Sequence, residues 1–144
     1  MVLGFKQKFA DGTDTHFLEK ILSISGLYPY ELFPRPKIHT FRTGERWKPG
    51  MSIQMAYGVR TQHYAQFNKG ISALGTCIST QKVSMTTFWG CIRCFIDGRE
   101  LPYTEIGELA QNDGLTLEQF RNWFFPDGNY EWSGQIIHWT GFKY

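Results

Sequence analysis

The residues with the most chemistry to offer lie in one short run, Pro36-Lys37-Ile38-His39-Thr40-Phe41-Arg42. It brings an ammonium, a hydroxyl and a guanidinium into six residues, with Ile38 and Phe41 as apolar spacers. The run reads as the start of a strand whose polar groups project into a cleft. Weaker candidates lie elsewhere. Arg60-Thr61-Gln62-His63-Tyr64 offers groups that could line a base-binding pocket, although a solvated loop is the commoner outcome for such a stretch. Trp47 and Trp139 offer faces for stacking on a base, with core packing the commoner fate. Cys91-Ile92-Arg93-Cys94 has metal-like spacing. A zinc site needs four ligands, usually from two such pairs on turns, and the only other cysteine is Cys77. Core or edge thiols are the better reading, and no metal is expected. His39, His63 and His138 are separated and lack H-x-x-x-H spacing, and His138 reads as a satisfied strand histidine.

These side chains need elements to position them. Val2 to Phe9 alternates like a short strand. Asp11-Gly12-Thr13-Asp14 is turn material, with Thr13 or Asp14 able to cap a helix. Phe17, Leu18, Ile21, Leu22 and Ile24 recur at helical spacing, which predicts a helix over 14–25 stopped by Gly26. Pro29, Pro34 and Pro36 stiffen a connector that Leu27, Tyr28, Tyr30, Leu32 and Phe33 should pack down. Strands are predicted at 51–57, 76–88, 91–96, 99–103 and 130–139, with a long loop over 60–75. Asp97-Gly98 is a hairpin turn, Gly90 a break or bulge, and Gly134 a bulge. Thr104 should cap a helix through Ala110 that stops at Asn112-Asp113-Gly114. Thr116-Leu117-Glu118-Gln119 is a capping box opening a helix to Phe125.

The tally is about six strands and three helices without βα alternation, which argues against a Rossmann arrangement. A single α+β domain over 1–144, a small mostly antiparallel β-barrel with helices at its ends, fits better. The 144 residues are 42% hydrophobic and 19% charged, enough for a real core. Aromatic content is 17%, which packing explains for the most part. A net charge of +2 gives no large phosphate-binding footprint, so a nucleic acid would be met over a few bases. Three cysteines argue against a secreted disulfide framework. With no signal-peptide pattern and no apolar run of membrane length, a soluble cytoplasmic protein is expected.

Lys37-Ile38-His39-Thr40-Phe41-Arg42 resembles the K-x-x-T-x-R signature of ASCH-type domains in the PUA-like superfamily. The chain is especially similar to the small bacterial acetylcytidine amidohydrolases. Lys48-Pro49-Gly50 fills that family's lysine-glycine turn, and Asp113 precedes Thr116-Leu117-Glu118-Gln119-Phe120 as an acid precedes a matching helix there. The order of elements agrees over most of the chain. This chain is longer in the 25–36 connector and the 60–75 loop, and Asp113 stands where the enzymes carry the longer Glu.

The resemblance implies hydrolysis of an acyl group from the exocyclic amine of a modified cytidine, without a cofactor. It makes Thr40 the nucleophile, Lys37 its base and Asp113 the acid that orients the lysine or the departing amine. Arg42 would hold a carbonyl or ribose oxygen; Arg60 and Trp47 are the further substrate-binding candidates, on their own residue chemistry and not on the resemblance. In a regular strand Lys37 and Thr40 point to opposite faces, so they converge only if residues 36–39 are irregular. The alternative expectation is a non-catalytic module that binds RNA or a nucleotide in the same cleft. A structural domain without a small ligand is a third.

Overall fold

The computed structural model describes residues 1–27 and 31–144. Eight strands and three α-helices are found among the described residues. The strands are β1 (Val2–Gly4), β2 (His39–Arg42), β3 (Gln54–Tyr57), β4 (Ala65–Gln66), β5 (Ser79–Phe88), β6 (Cys91–Ile96), β7 (Arg99–Glu100) and β8 (Glu131–His138). The helices are α1 (Phe17–Leu22), α2 (Ile106–Asn112) and α3 (Leu117–Phe124). One sheet has the order β1-β3-β4 and the other β2-β8-β5-β6-β7. Among the described residues only the β1–β3 pair is parallel.

The fold is therefore α+β and mostly antiparallel, with its strands in two sheets rather than one continuous ladder. The sheets are joined at two places. Residues 50–53 and 75–77, which lead into β3 and β5, exchange backbone hydrogen bonds of 2.8 Å: Gly50 N and Ile53 N donate to the Cys77 and Gly75 carbonyls, and Cys77 N to Met51 O. On the other side the free edges of β1 and β2 are linked by Arg42, which donates to the Gly4 carbonyl.

Alternation builds the large sheet. Val83 and Met85 of β5 face inward, and β8 carries the fully buried Ile136 and Ile137. Type I′-like pairs turn the hairpins: Trp89-Gly90 (φ 53° and 77°) and Asp97-Gly98 (φ 51° and 81°). Gly90 thus turns the chain rather than bulging it. Helix α3 starts at the Thr116/Gln119 capping box and lays Phe120 and Phe124 on Phe41, with ring centroids at 5.5 and 5.2 Å.

Several expectations need correction. The first strand ends at Gly4 rather than Phe9, because Gln7 to Thr15 folds into its own small hairpin, with Phe9 N donating to Thr13 O at 2.8 Å. Neither Thr13 nor Asp14 caps α1; the Thr13 hydroxyl donates to Asp11 instead. Thr104 falls in a 3₁₀ turn, Tyr103–Glu105, and caps nothing. Leu27 and Leu32 are exposed, so the connector is not packed by them, and Phe33 meets the ring of His16 at 5.7 Å. Its Tyr28, Pro29 and Tyr30 lie outside the described residues. The 60–75 loop holds β4 and a 3₁₀ turn.

Gly134 is not a bulge: it sits in register opposite Val83. A Cβ there would lie 2.2 Å from the Arg42 carbonyl oxygen, so glycine is required by the close approach of β2.

Candidate functional site

Lys37 precedes β2 and so escapes its two-residue alternation. Helix α2 ends with successive carbonyls that need donors. Ile38 N donates to Asn112 O at 2.9 Å, Lys37 Nζ to Asp113 O at 2.6 Å, and Lys20 Nζ to Gly114 O at 2.7 Å. Lys37 N also donates to Lys20 O at the end of α1, at 3.1 Å. Gly114 adopts φ 78°, and a Cβ there would crowd Lys37 Cβ at 3.2 Å and Phe17 at 3.3 Å. The helix end and the strand entrance are thus stitched together around one lysine.

The lysine is 1% exposed and forms an ion pair with Asp113, 76 residues away and 3% exposed. Its ammonium lies 4.6 Å from the Phe17 ring centroid and 5.9 Å from that of Phe5. Burial pushes the Lys37 amine down to about 8, with the Asp113 charge opposing. Burial also pushes the Asp113 carboxyl up, with Lys37 and Arg42 opposing. An amine with this value is in appreciable part a free base at neutral pH.

Thr40 and Arg42 share a face of β2, as the alternation predicts. Arg42 Nη1 donates to Thr40 Oγ1 at 2.9 Å and to the Phe41 carbonyl at 2.7 Å. The hydroxyl therefore accepts from a cation and keeps its own proton available. Lys37, Thr40, Arg42 and Asp113 line one cavity of about 220 Å³, walled by Phe5, Phe17 and Trp123. The irregular entrance to β2 is what lets Lys37 and Thr40 border the same space.

Behind Asp113 lies a buried network with no motif to announce it. Asn112 Nδ2 donates to Tyr144 Oη at 2.9 Å, and that oxygen meets His39 Nε2 at 2.6 Å. The donor in that contact depends on the imidazole tautomer, and the ring's other nitrogen is Nδ1. That atom has no hydrogen-bond partner and faces Asp113 Oδ1 at 3.9 Å. Burial holds the His39 pKa well below the usual histidine range, so the ring is neutral. His39 pairs across strands with His138, which is bound to Gln81 Oε1 at 3.0 Å.

The other predicted residues lie apart from Lys37. Trp47 is a core residue at 7% exposure, its backbone N–H bound to Gln135 Oε1 at 2.8 Å. Trp47 and the exposed Arg60 border a second cavity of about 300 Å³, with Arg46 and Arg42. Arg42 is the residue common to both spaces. Cys94 is buried and Cys91 exposed, and neither joins a cluster of three or more potential metal ligands among the described residues. No helix among the described residues is long and apolar enough to cross a membrane.

No family model, no curated protein and no solved structure matches the chain.

Proposed function

We propose that the chain is an ASCH-type domain of the PUA-like superfamily that hydrolyses the acyl group from the exocyclic amine of a modified cytidine. The observation that carries this reading is the buried Lys37–Asp113 pair bordering the same cavity as the Arg42-bound hydroxyl of Thr40. A threonine hydroxyl is a weak nucleophile until a base takes its proton. Lys37, held down to about 8, supplies that base near neutral pH.

In this mechanism the neutral Lys37 amine takes the Thr40 proton as Oγ1 attacks the acyl carbonyl. Arg42 steadies the oxyanion of the tetrahedral intermediate. Collapse breaks the carbon–nitrogen bond, and the Lys37 ammonium returns its proton to the departing cytidine nitrogen. Water, deprotonated by Lys37, then attacks the threonine ester; the carbon–Oγ1 bond breaks, Lys37 returns the proton to Thr40 Oγ1, and the carboxylic acid leaves. Asp113 holds the lysine in place throughout. Its shorter side chain is compensated by its position, since its backbone carbonyl also accepts from Lys37 at 2.6 Å. A cavity of about 220 Å³ suits an acylated base better than a whole nucleoside, whose sugar would lie at the mouth.

Incubation with N4-acetylcytidine tests the reading. Wild type should release cytidine, and Thr40→Ala should not exceed the buffer rate. No release by wild type, or equal release by both, removes it. The second reading, a module that binds without turnover, is favoured by the occupation of Lys37 with two Asp113 oxygens in the resting site. It predicts binding of the modified base with no product.

A further inference from the structure

The cavity of about 300 Å³ on the far side of Arg42 has a marked chemical bias. Three arginines border it, Arg42, Arg46 and Arg60, and no carboxylate does. Among the described residues Arg46 and Arg60 have no ion pair or hydrogen bond from their side chains. Glu45, the acid nearest to them in sequence, is engaged by Lys82 at 3.1 Å. Arg60 is held in the left-handed region at φ 66°, directly after Gly58-Val59, where Thr61 N donates to Gly58 O at 2.9 Å. Arg42 spends both Nη1 hydrogens on Thr40 and Phe41 and one from Nη2 on Gly4. A guanidinium carries five N–H groups, so its Nε–H and one Nη2–H remain for a ligand.

Three guanidiniums around one space, two of them without a side-chain partner, match a phosphate, which accepts forked, charge-assisted hydrogen bonds. We infer that this cavity holds the phosphate of a nucleotide whose base enters the Lys37 cavity, with Arg42 as the shared wall. The inference rests on the reading of the Lys37 cavity as a base site and adds the substrate class: a phosphorylated nucleoside rather than a free one. A net charge of +2 gives no large phosphate-binding footprint, in keeping with a single-phosphate contact.

Binding by calorimetry at low salt tests it with ligands that cannot be hydrolysed: cytidine, cytidine 5′-monophosphate and inorganic phosphate. The monophosphate should bind at least about tenfold tighter than cytidine. Arg46→Ala and Arg60→Ala should each remove most of that difference and leave cytidine binding unchanged. Added salt should weaken the monophosphate and not cytidine. Arg99→Ala, at an exposed arginine of β7, should have no effect. Equal affinity for cytidine and its monophosphate overturns the inference, as does an Arg99→Ala loss as large as that of Arg46→Ala, which would mark unspecific charge. Failure of any of the three ligands to bind also overturns it. Because no bond is broken, these outcomes are independent of whether N4-acetylcytidine is turned over.

Discussion

Lys37 survives burial because every part of its charge is answered. Its ammonium meets the Asp113 carboxylate, the Asp113 carbonyl and the Phe17 ring. Removing one partner of such a pair leaves a buried charge behind, which costs about 3–5 kcal/mol, whereas replacing both with apolar groups costs far less. Lys37→Met should therefore lower the urea midpoint strongly, and Lys37→Met/Asp113→Leu should recover most of the loss. A single variant with an unchanged midpoint would show the pair to be solvated. The same burial sets a pH dependence. Only the neutral amine can accept the Thr40 proton, so cytidine release should climb with pH through about 8 and level off above it. Stability follows the same sign. Between about 8 and the ordinary 10.5 the unfolded chain holds a Lys37 proton that the folded one has released. Raising the pH across that window favours the folded state, and this gain is absent below it.

At the scale of elements, local chemistry was readable and close approaches were not. The Thr116/Gln119 capping box needs only three residues of context, and it forms as its spacing predicts. The β2 alternation likewise puts Thr40 and Arg42 on one face. From sequence Gly134 reads as a bulge because its actual reason lies on another strand, the Arg42 carbonyl that a Cβ would meet at 2.2 Å. Gly134→Ala should thus cost about 3 kcal/mol or more and push β2 off β8. Urea unfolding measures the first effect, and loss of the Arg42–Thr40 contact in a structure of the variant would show the second. A midpoint within experimental error of wild type would mean that β2 yields without resistance. The link of Asn112 and Tyr144 to His39 was invisible for the same reason, since it joins residues 32 and 105 positions apart. Its one sequence signal was a histidine beside the Lys37–Thr40 pair, inside a buried strand.

At the scale of the molecule, two sheets meet along 50–53 and 75–77 and across the Arg42–Gly4 link. The Lys37 cavity opens beside that second junction, between edge strands. Composition and strand count pointed to one mostly antiparallel α+β domain. They could not fix the sheet order, because pairing partners are chosen by contacts distant in sequence. Lys37 and Thr40 come from one short run and Asp113 from just past the end of α2, 76 residues on, and only the assembled fold brings the three to one space. The most direct measurement is the mass of the Thr40 peptide, taken from protein quenched in acid during turnover of N4-acetylcytidine. The account predicts one added acetyl group on Thr40 in wild type and none in Thr40→Ala. Cytidine release with Thr40 unmodified throughout would contradict it.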